Sequence, residues 1–182
     1  MKELSLNILD ITENSVKAGA TLTEIYIEED DRSLSITIKD DGCGMSEETL
    51  RSVIDPFYTT RTTRKVGMGI PLFKMAAELT GGDFSIVSED RDKHPDSHGT
   101  QVRATFIKDH LDFTPLGDTV STVVTLIQGH PDTDFLFLHK LGCSEVSLDT
   151  RELRAVLEDI PLNSYEILRF IEDNLREQYS QI

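Results

Sequence analysis

Residues 23–40 alternate apolar and polar side chains in two runs around a polar turn, and this pattern constrains the fold more than any other. Side chains alternate between the two faces of a strand, so each run has one apolar face. The pattern predicts an antiparallel hairpin that buries one face only. The apolar positions are Ile25, Ile27, Leu34, Ile36 and Ile38.

Amphipathic helices are predicted before and after this hairpin. Residues 3–18 repeat apolar or small side chains at helical spacing, and residues 70–79 form a second such stretch. Two further strands are predicted at 83–88 and 100–107. Helices that bunch on one face of a mixed or antiparallel sheet give a two-layer α+β sandwich, which is the predicted fold class.

The pattern changes near residue 110, which predicts a first unit at 1–109 and a C-terminal α/β extension at 110–182. The extension contains a strand at 134–139 and three helical stretches. That strand either extends the sheet or starts a small module. The role of the extension stays open, because its apolar stripes are more typical of a core than of a partner surface.

The charge of the chain narrows the classes of ligand. Its 18 basic and 33 acidic residues give a net charge of −15, which disfavours nucleic acid and anionic membranes as partners. No stretch is apolar enough to span a membrane, and the N-terminus lacks the apolar region of a signal peptide. We expect a cytoplasmic protein with reduced cysteines, in which placed local groups hold any anionic ligand.

Short polar and glycine-rich motifs occur in a fixed order along residues 4–108. Each alone is weak, since a glycine turn, a wet helix face or a solvated basic loop would explain it. In this order they resemble the ATP-binding domain shared by DNA gyrase, the ninety-kilodalton chaperones, sensor histidine kinases and MutL-type proteins. The motifs are Asp10-x-x-x-Asn14, Asp41-Gly42-Cys43-Gly44, "FYTT" at 57–60, Gly67-Met68-Gly69 and Gly99-Thr100.

The resemblance implies ATP and Mg²⁺ as ligands and assigns the nucleoside end of the site. Asn14 would ligate Mg²⁺ through its amide oxygen. Asp41 would accept a hydrogen bond from the adenine amino group, and Thr100 would lie behind the adenine. The chain would pass close to the base at Gly42, Gly44 and Met45.

The phosphate end is implied in the same way. Lys17 would face the phosphates from the first helix. Residues 57–66 resemble a short ATP lid, and the glycine-rich stretch after it would offer backbone N–H groups to the anion. The implied phosphate-binding residues of these two segments are Thr59, Thr60, Arg61, Lys65, Gly67, Met68 and Gly69.

Two acids are candidates for catalysis. In MutL-type proteins a glutamate four residues before the asparagine is the general base, and Asp10 holds that place here. Glu13, beside Asn14, is an alternative proton acceptor or an ordinary surface acid. The short lid and Lys17 favour the histidine-kinase branch over MutL.

Two functions are compatible with the resemblance. The first is an ATPase or protein kinase that hydrolyses ATP or transfers its γ-phosphate to a separate protein in a signalling role. The second is a non-catalytic conformational switch that binds a partner only when ATP is bound. Partner, phosphoacceptor and oligomeric state stay open.

Three histidines carry weaker hypotheses. "HLDFTPL" at 110–116 resembles a histidine-kinase phosphoacceptor box, although an ordinary strand-to-helix linker explains His110 more simply. His94 and His98 lie in an acidic, turn-rich loop and are either a metal-binding pair or solvated side chains.

Overall fold

The computed structural model of the chain describes residues 2–54, 68–158 and 160–182. Within these residues, helices and strands follow the predicted order, which includes a short helix that Ser46 is expected to cap, with one additional strand near the C-terminus. The helices are α1 (Leu4–Lys17), α2 (Glu47–Ile54), α3 (Gly69–Leu79), α4 (Thr119–Gly129), α5 (Thr150–Leu157) and α6 (Tyr165–Ser180). The strands are β1 (Leu22–Glu29), β2 (Ser33–Asp40), β3 (Asp83–Glu89), β4 (Gly99–Ile107), β5 (Asp134–Leu141) and β6 (Ser144–Asp149).

The described strands form one sheet in the order β3-β4-β2-β1-β5-β6. The predicted hairpin is present, and its register pairs Ile25 with Ile38 and Ile27 with Ile36. Strand β5 runs parallel to β1, and every other neighbouring pair is antiparallel. The sheet is therefore mixed, and the α+β prediction is confirmed.

One face of the sheet forms the core. Alternate residues of the strands are buried beneath the helices, among them the hairpin isoleucines. On the opposite face Lys39 pairs with Glu24, and Arg103 lies 3.7 Å from Glu28, with exposed or half-buried side chains. A sheet with helices on one side and charged pairs on the other is a two-layer sandwich.

The C-terminal extension continues the same sheet. Strand β5 lies beside β1 over its whole length, and α4 packs against both α1 and α6. Strand β6, which the sequence reading did not predict, pairs with β5. The side-chain amide of Gln178 on α6 bonds both backbone groups of Ser147 on β6. The division into two units at residue 110 stays a prediction.

Helix ends match the local sequence. Gly19 has a φ of +75° directly after α1, which is the left-handed geometry expected after a helix. The Oγ of Ser46 accepts a hydrogen bond from the N–H of Thr49 at the start of α2, and Asp118 caps α4 through Ser121. Within the described residues, no helix combines the length and the apolar character needed to cross a membrane.

Candidate functional site

A cavity of about 220 Å³ opens between α1, α2, the start of α3 and the adjoining ends of β2 and β4. Its wall is mostly apolar, and polar groups enter it from α1, β2 and β4. This is the usual character of a small-molecule site. The lining residues are Ile11, Asn14, Ser15, Ala18, Ile38, Asp40, Gly44, Met45, Thr49, Ser52, Val53, Ile70, Thr100 and Val102.

Asp40 is the buried acid of this cavity, with 9% of the residue exposed. Its Oδ2 accepts a hydrogen bond from the hydroxyl of Ser15 at 2.7 Å. Its Oδ1 accepts from the backbone N–H groups of Gly42 at 2.9 Å and Thr100 at 3.2 Å. A carboxylate has about four acceptor positions, so these three bonds fix its orientation and leave acceptor capacity for a ligand.

Asp41, which the motif order predicts at the adenine, lies outside the cavity lining. Its carboxylate accepts from the N–H and the hydroxyl of Thr21 at 2.7 and 2.5 Å, and from the N–H of Leu22 at 3.0 Å. Burial raises the pKa of Asp41, but the hydrogen bonds from Leu22 and Thr21 outweigh it and hold the pKa below its usual value. Asp41 therefore anchors the start of β1.

The alternation of β2 explains why the two adjacent acids differ. Ile36, Ile38 and Asp40 are two residues apart and share the buried face. Asp41 follows the last strand residue and leaves that face. The sequence contained this signal, because the hairpin pattern extends from Leu34 through Asp40 at period two.

The glycine turn after β2 is closely packed. Gly44 has a φ of +67°, and a Cβ there would overlap the carbonyl of Glu89. A Cβ at Gly42 would lie 2.9 Å from the Cβ of Ala18. Both glycines are thus required by close approach, and Gly44 also by its left-handed conformation. Gly44 and the adjoining Met45 line the cavity, as predicted for the turn.

Thr100 lines the cavity at the start of β4. Its Oγ1 lies 2.8 Å from the Oγ of Ser88 on β3. That Ser88 hydroxyl also accepts from the N–H of Met45 at 2.8 Å. A hydroxyl pair thus connects the back of the cavity to the glycine turn.

The polar side of α1 meets the first residue of α3 at the cavity rim. Asn14 lines the cavity, and both Asn14 and Asp10 are exposed. A Cβ on Gly69 would lie 3.3 Å from the Cβ of Asp10 and 4.0 Å from the Nδ2 of Asn14. Met68, just before the helix, is 61% exposed. The structure brings Asp10, Asn14 and Gly69 together, as the motif order predicts.

Glu13 and Lys17 lie outside the cavity lining. The Oε1 of Glu13 lies 2.6 Å from the Nε2 of His130, the residue after α4. This hydrogen bond is the main reason that the pKa of Glu13 lies below its ordinary value of 4.5, although burial opposes it. Lys17 is 70% exposed, and its Nζ lies 3.6 Å from the Oε2 of Glu13. Glu13 thus connects α1 to the C-terminal extension, and Lys17 pairs with Glu13 within α1.

Five predicted phosphate-binding residues, Thr59, Thr60, Arg61, Lys65 and Gly67, lie outside the described residues. Their roles stay predictions.

The three histidines with predicted roles lie in different surroundings. His110 lies in a turn after β4, at the end opposite Thr100, and its Nδ1 accepts from the N–H of Asp112. Ile107 is seven positions after Thr100 along the strand, which puts the two residues roughly 20 Å apart. His94 is exposed, whereas the Nδ1 of His98 contacts the carbonyl of Gly42. The described residues hold no cluster of three or more metal-ligating side chains.

Several cavity residues were not predicted from the sequence. Asp40 had the strand alternation as its signal, and Ile11 and Ser15 belonged to the predicted buried stripe of α1. The α2 residues had no distinguishing signal, because only the fold turns that helix toward the cavity. They are Thr49, Ser52 and Val53.

Comparison with models of known protein families shows which family the chain belongs to. It belongs to the family described as histidine kinase-, DNA gyrase B- and HSP90-like ATPase, whose model matches residues 2–110. The resemblance inferred from the ordered motifs is thereby confirmed. Membership of an ATPase family supports ATP as the ligand of the cavity.

Curated relatives include sensor kinases. Sporulation kinase A of Bacillus subtilis (strain 168) is 30% identical over 108 residues, which is 59% of this chain and 16% of that protein. Sensor histidine kinase CssS of the same strain is 32% identical over 80 residues, 44% of this chain and 18% of that protein. The chain thus spans less than a fifth of the length of either relative.

Among solved structures, the Aquifex aeolicus MutL ATPase domain complexed with ADP is similar with a TM-score of 0.57 at 15% identity. The match covers 87% of this chain and 70% of that one. This likeness shows a shared fold that includes most of the C-terminal extension.

Proposed function

We propose that the chain binds Mg-ATP in the cavity and hydrolyses it or transfers its γ-phosphate to a separate protein in a signalling role. The observation that carries the proposal is the carboxylate of Asp40, buried and fixed by three donors in a mostly apolar cavity. The similar MutL domain was solved with ADP, which supports a nucleotide as the ligand.

The nucleoside end fits adenine. Its exocyclic amino group is a donor, and Asp40 offers a fixed acceptor to it. Ile38, Val53 and Val102 provide apolar surface for the base. Thr100 lies beside Asp40 through its backbone N–H, and its hydroxyl is paired with that of Ser88. We therefore assign to Asp40 the hydrogen bond with adenine that the sequence predicted for Asp41.

The phosphate end fits at the meeting of α1 and α3. The Asn14 amide oxygen suits Mg²⁺, and its exposed position at the cavity rim leaves it free to turn toward a bound ion. The ion would neutralise phosphate charge. The first N–H groups of α3 receive no side-chain cap within the described residues, so they are available to an anion. The lid residues Thr59, Thr60, Arg61 and Lys65 would add donors and positive charge there.

For catalysis the geometry favours Asp10 over Glu13. Asp10 lies beside Gly69 and one turn before Asn14, where it can accept a proton from an attacking water. The carboxylate of Glu13 is already held by the Nε2 of His130 at 2.6 Å. We therefore assign Asp10 as the general base and Glu13 as a contact residue.

A switch without turnover is the second candidate. Its support is the docking of α4 on α1, because the Glu13–His130 contact is one residue from Asn14. A change at Asn14 on ATP binding would reach the C-terminal extension directly. In that case the protein partner, and not a phosphoacceptor, would receive the signal.

Two assays test these proposals. Calorimetric titration with Mg-ATP should show binding to the wild type that Asn14→Ala removes, and Mg²⁺-dependent binding retained in that variant would contradict the site. Incubation with γ-labelled ATP, alone and with cell extract, then separates the functions. Free phosphate indicates hydrolysis, acid-labile label on another chain indicates a kinase, and neither with binding intact indicates the switch. Acid-labile label on this chain would instead point to His110.

A further inference from the structure

The loop between β3 and β4 holds the glycine turn of the cavity from outside. The Nδ1 of His98 lies 2.6 Å from the carbonyl oxygen of Gly42. A carbonyl oxygen only accepts, so the imidazole must carry its proton on Nδ1 to make this bond. His98 is partly buried, whereas residues 91–97 of the same loop are exposed.

Two more contacts, one from this loop and one from the last residue of β3, meet the next two residues of the turn. The backbone N–H of Arg91 donates to the carbonyl of Cys43 at 3.0 Å. The carbonyl of Glu89 occupies the place that a Cβ on Gly44 would need. The loop and the adjoining end of β3 therefore contact three consecutive residues of the turn. His98 is the one side chain among these three contacts.

The glycine turn also orients Asp40, the acid proposed to bind the adenine. The Gly42 N–H donates to Oδ1 of Asp40, while its carbonyl accepts from His98. Loss of the His98 bond would leave the Gly42–Cys43 peptide held by the Cys43 N–H, which donates to the Ala18 carbonyl at 2.9 Å. The turn would then be less firmly fixed beside the Gly42 N–H, which is one of the three donors that orient Asp40. His98 itself is absent from the cavity lining.

We propose that His98 is a positioning residue for nucleotide binding, which it supports through the Gly42 carbonyl and thereby the Asp40 carboxylate. The proposal rests on the proposed function, since it names a residue that prepares the same adenine site. A metal-binding role for His94 and His98 is not needed to explain the position of His98.

The size of the effect follows from one hydrogen bond. Removal of such a bond weakens binding by about threefold to tenfold when the rest of the site stays intact. The loss should be the same for Mg-ATP and for ADP without Mg²⁺, because the turn serves the base and not the phosphates.

The test compares three variants at a temperature where circular dichroism shows all of them folded. His98→Ala should raise the Kd for ATP and ADP by the same factor. His98→Asn should restore most of the affinity, because its Nδ2 can replace Nδ1 as the donor. His94→Ala, an exposed histidine of the same loop, is the matched control and should bind as the wild type does.

The outcomes separate this proposal from the function on which it rests. If the wild type binds no nucleotide, the proposed function fails. If the wild type binds and His98→Ala binds equally well, only the positioning role fails. Loss of thermal stability with unchanged affinity would likewise overturn it. As a direct check, ¹⁵N NMR of the imidazole should show the neutral His98 ring protonated on Nδ1, and protonation on Nε2 would contradict the hydrogen bond.

Discussion

The Oε1 of Glu13 on α1 and the Nε2 of His130 after α4 lie 2.6 Å apart, and their contact joins α1 to the C-terminal extension. Both side chains are partly exposed, so the pair stabilises the fold modestly. It also occupies the Glu13 carboxylate, for which the sequence left a catalytic role open.

His130→Ala should lower the free energy of unfolding at pH 7 by about 1 kcal/mol or less. The pKa of Glu13 is lowered in the folded state, so its contribution is present above its ordinary value of 4.5 and is lost as the pH falls below it. The gap between wild type and His130→Ala should therefore shrink in acid. Urea unfolding from pH 7 to 3 measures this, with Lys17→Ala as a control of smaller effect. A gap that stays constant to pH 3 would exclude this origin.

Asp10→Asn should lower the rate of ATP hydrolysis by about a hundredfold or more while leaving ATP affinity near that of the wild type. The amide keeps the shape of the side chain but cannot take a proton. Glu13→Gln is the matched control and should retain turnover. Phosphate release and calorimetry are measured on the same samples. Normal turnover in Asp10→Asn, or its loss in Glu13→Gln, would reverse the assignment.

The hairpin and the helix stripes were predictable because their side chains repeat at periods of two and 3.6. The parallel pairing of β5 with β1 was not predictable, because the sequence of residues 134–141 does not indicate which strand they pair with. Strand β6 was missed because its six residues include only Val146 and Leu148 as apolar side chains. Such a short pattern is also compatible with a loop.

The same distinction applies to the candidate site, where sequence patterns predict some residues and the fold determines others. The ordered motifs include Asn14, Gly44, Met45 and Thr100, and these four residues line the cavity. Counting along the motif selected Asp41, whereas strand alternation selects Asp40. Long-range contacts such as Glu13 with His130 are set by helix packing, which a single sequence does not reveal.

Gly44→Ala should lower the free energy of unfolding by about 2 kcal/mol or more and remove ATP binding. The added methyl group would overlap the Glu89 carbonyl in a left-handed conformation. Gly142→Ala is the matched control, because Gly142 has a φ of +59° and nothing within 4 Å of the added Cβ. It should cost about 1 kcal/mol and leave binding unchanged. Equal losses in both variants would show that close approach contributes nothing.

His139, buried in β5, should make the protein less stable below pH 6.5. Burial lowers its pKa, and the nearby Glu29 opposes this only in part. The folded state therefore resists protonation that the unfolded state accepts below 6.5, and stability falls by up to about 1.4 kcal/mol per pH unit. Urea unfolding from pH 8 to 5 should give a shallower slope for His139→Gln than for the wild type. Identical slopes would assign the pH dependence to other groups.

The most direct test of the account is calorimetric titration of Mg-ATP into Asp40→Asn and Asp41→Asn. Both substitutions remove one charge from adjacent residues and keep the side-chain shape. Asp40→Asn should weaken ATP binding by about tenfold to a hundredfold, because a charge-assisted acceptor is lost from the cavity. Asp41→Asn should bind ATP as the wild type does, with reduced stability only. Undiminished binding by Asp40→Asn, or the larger loss in Asp41→Asn, would contradict the proposed site.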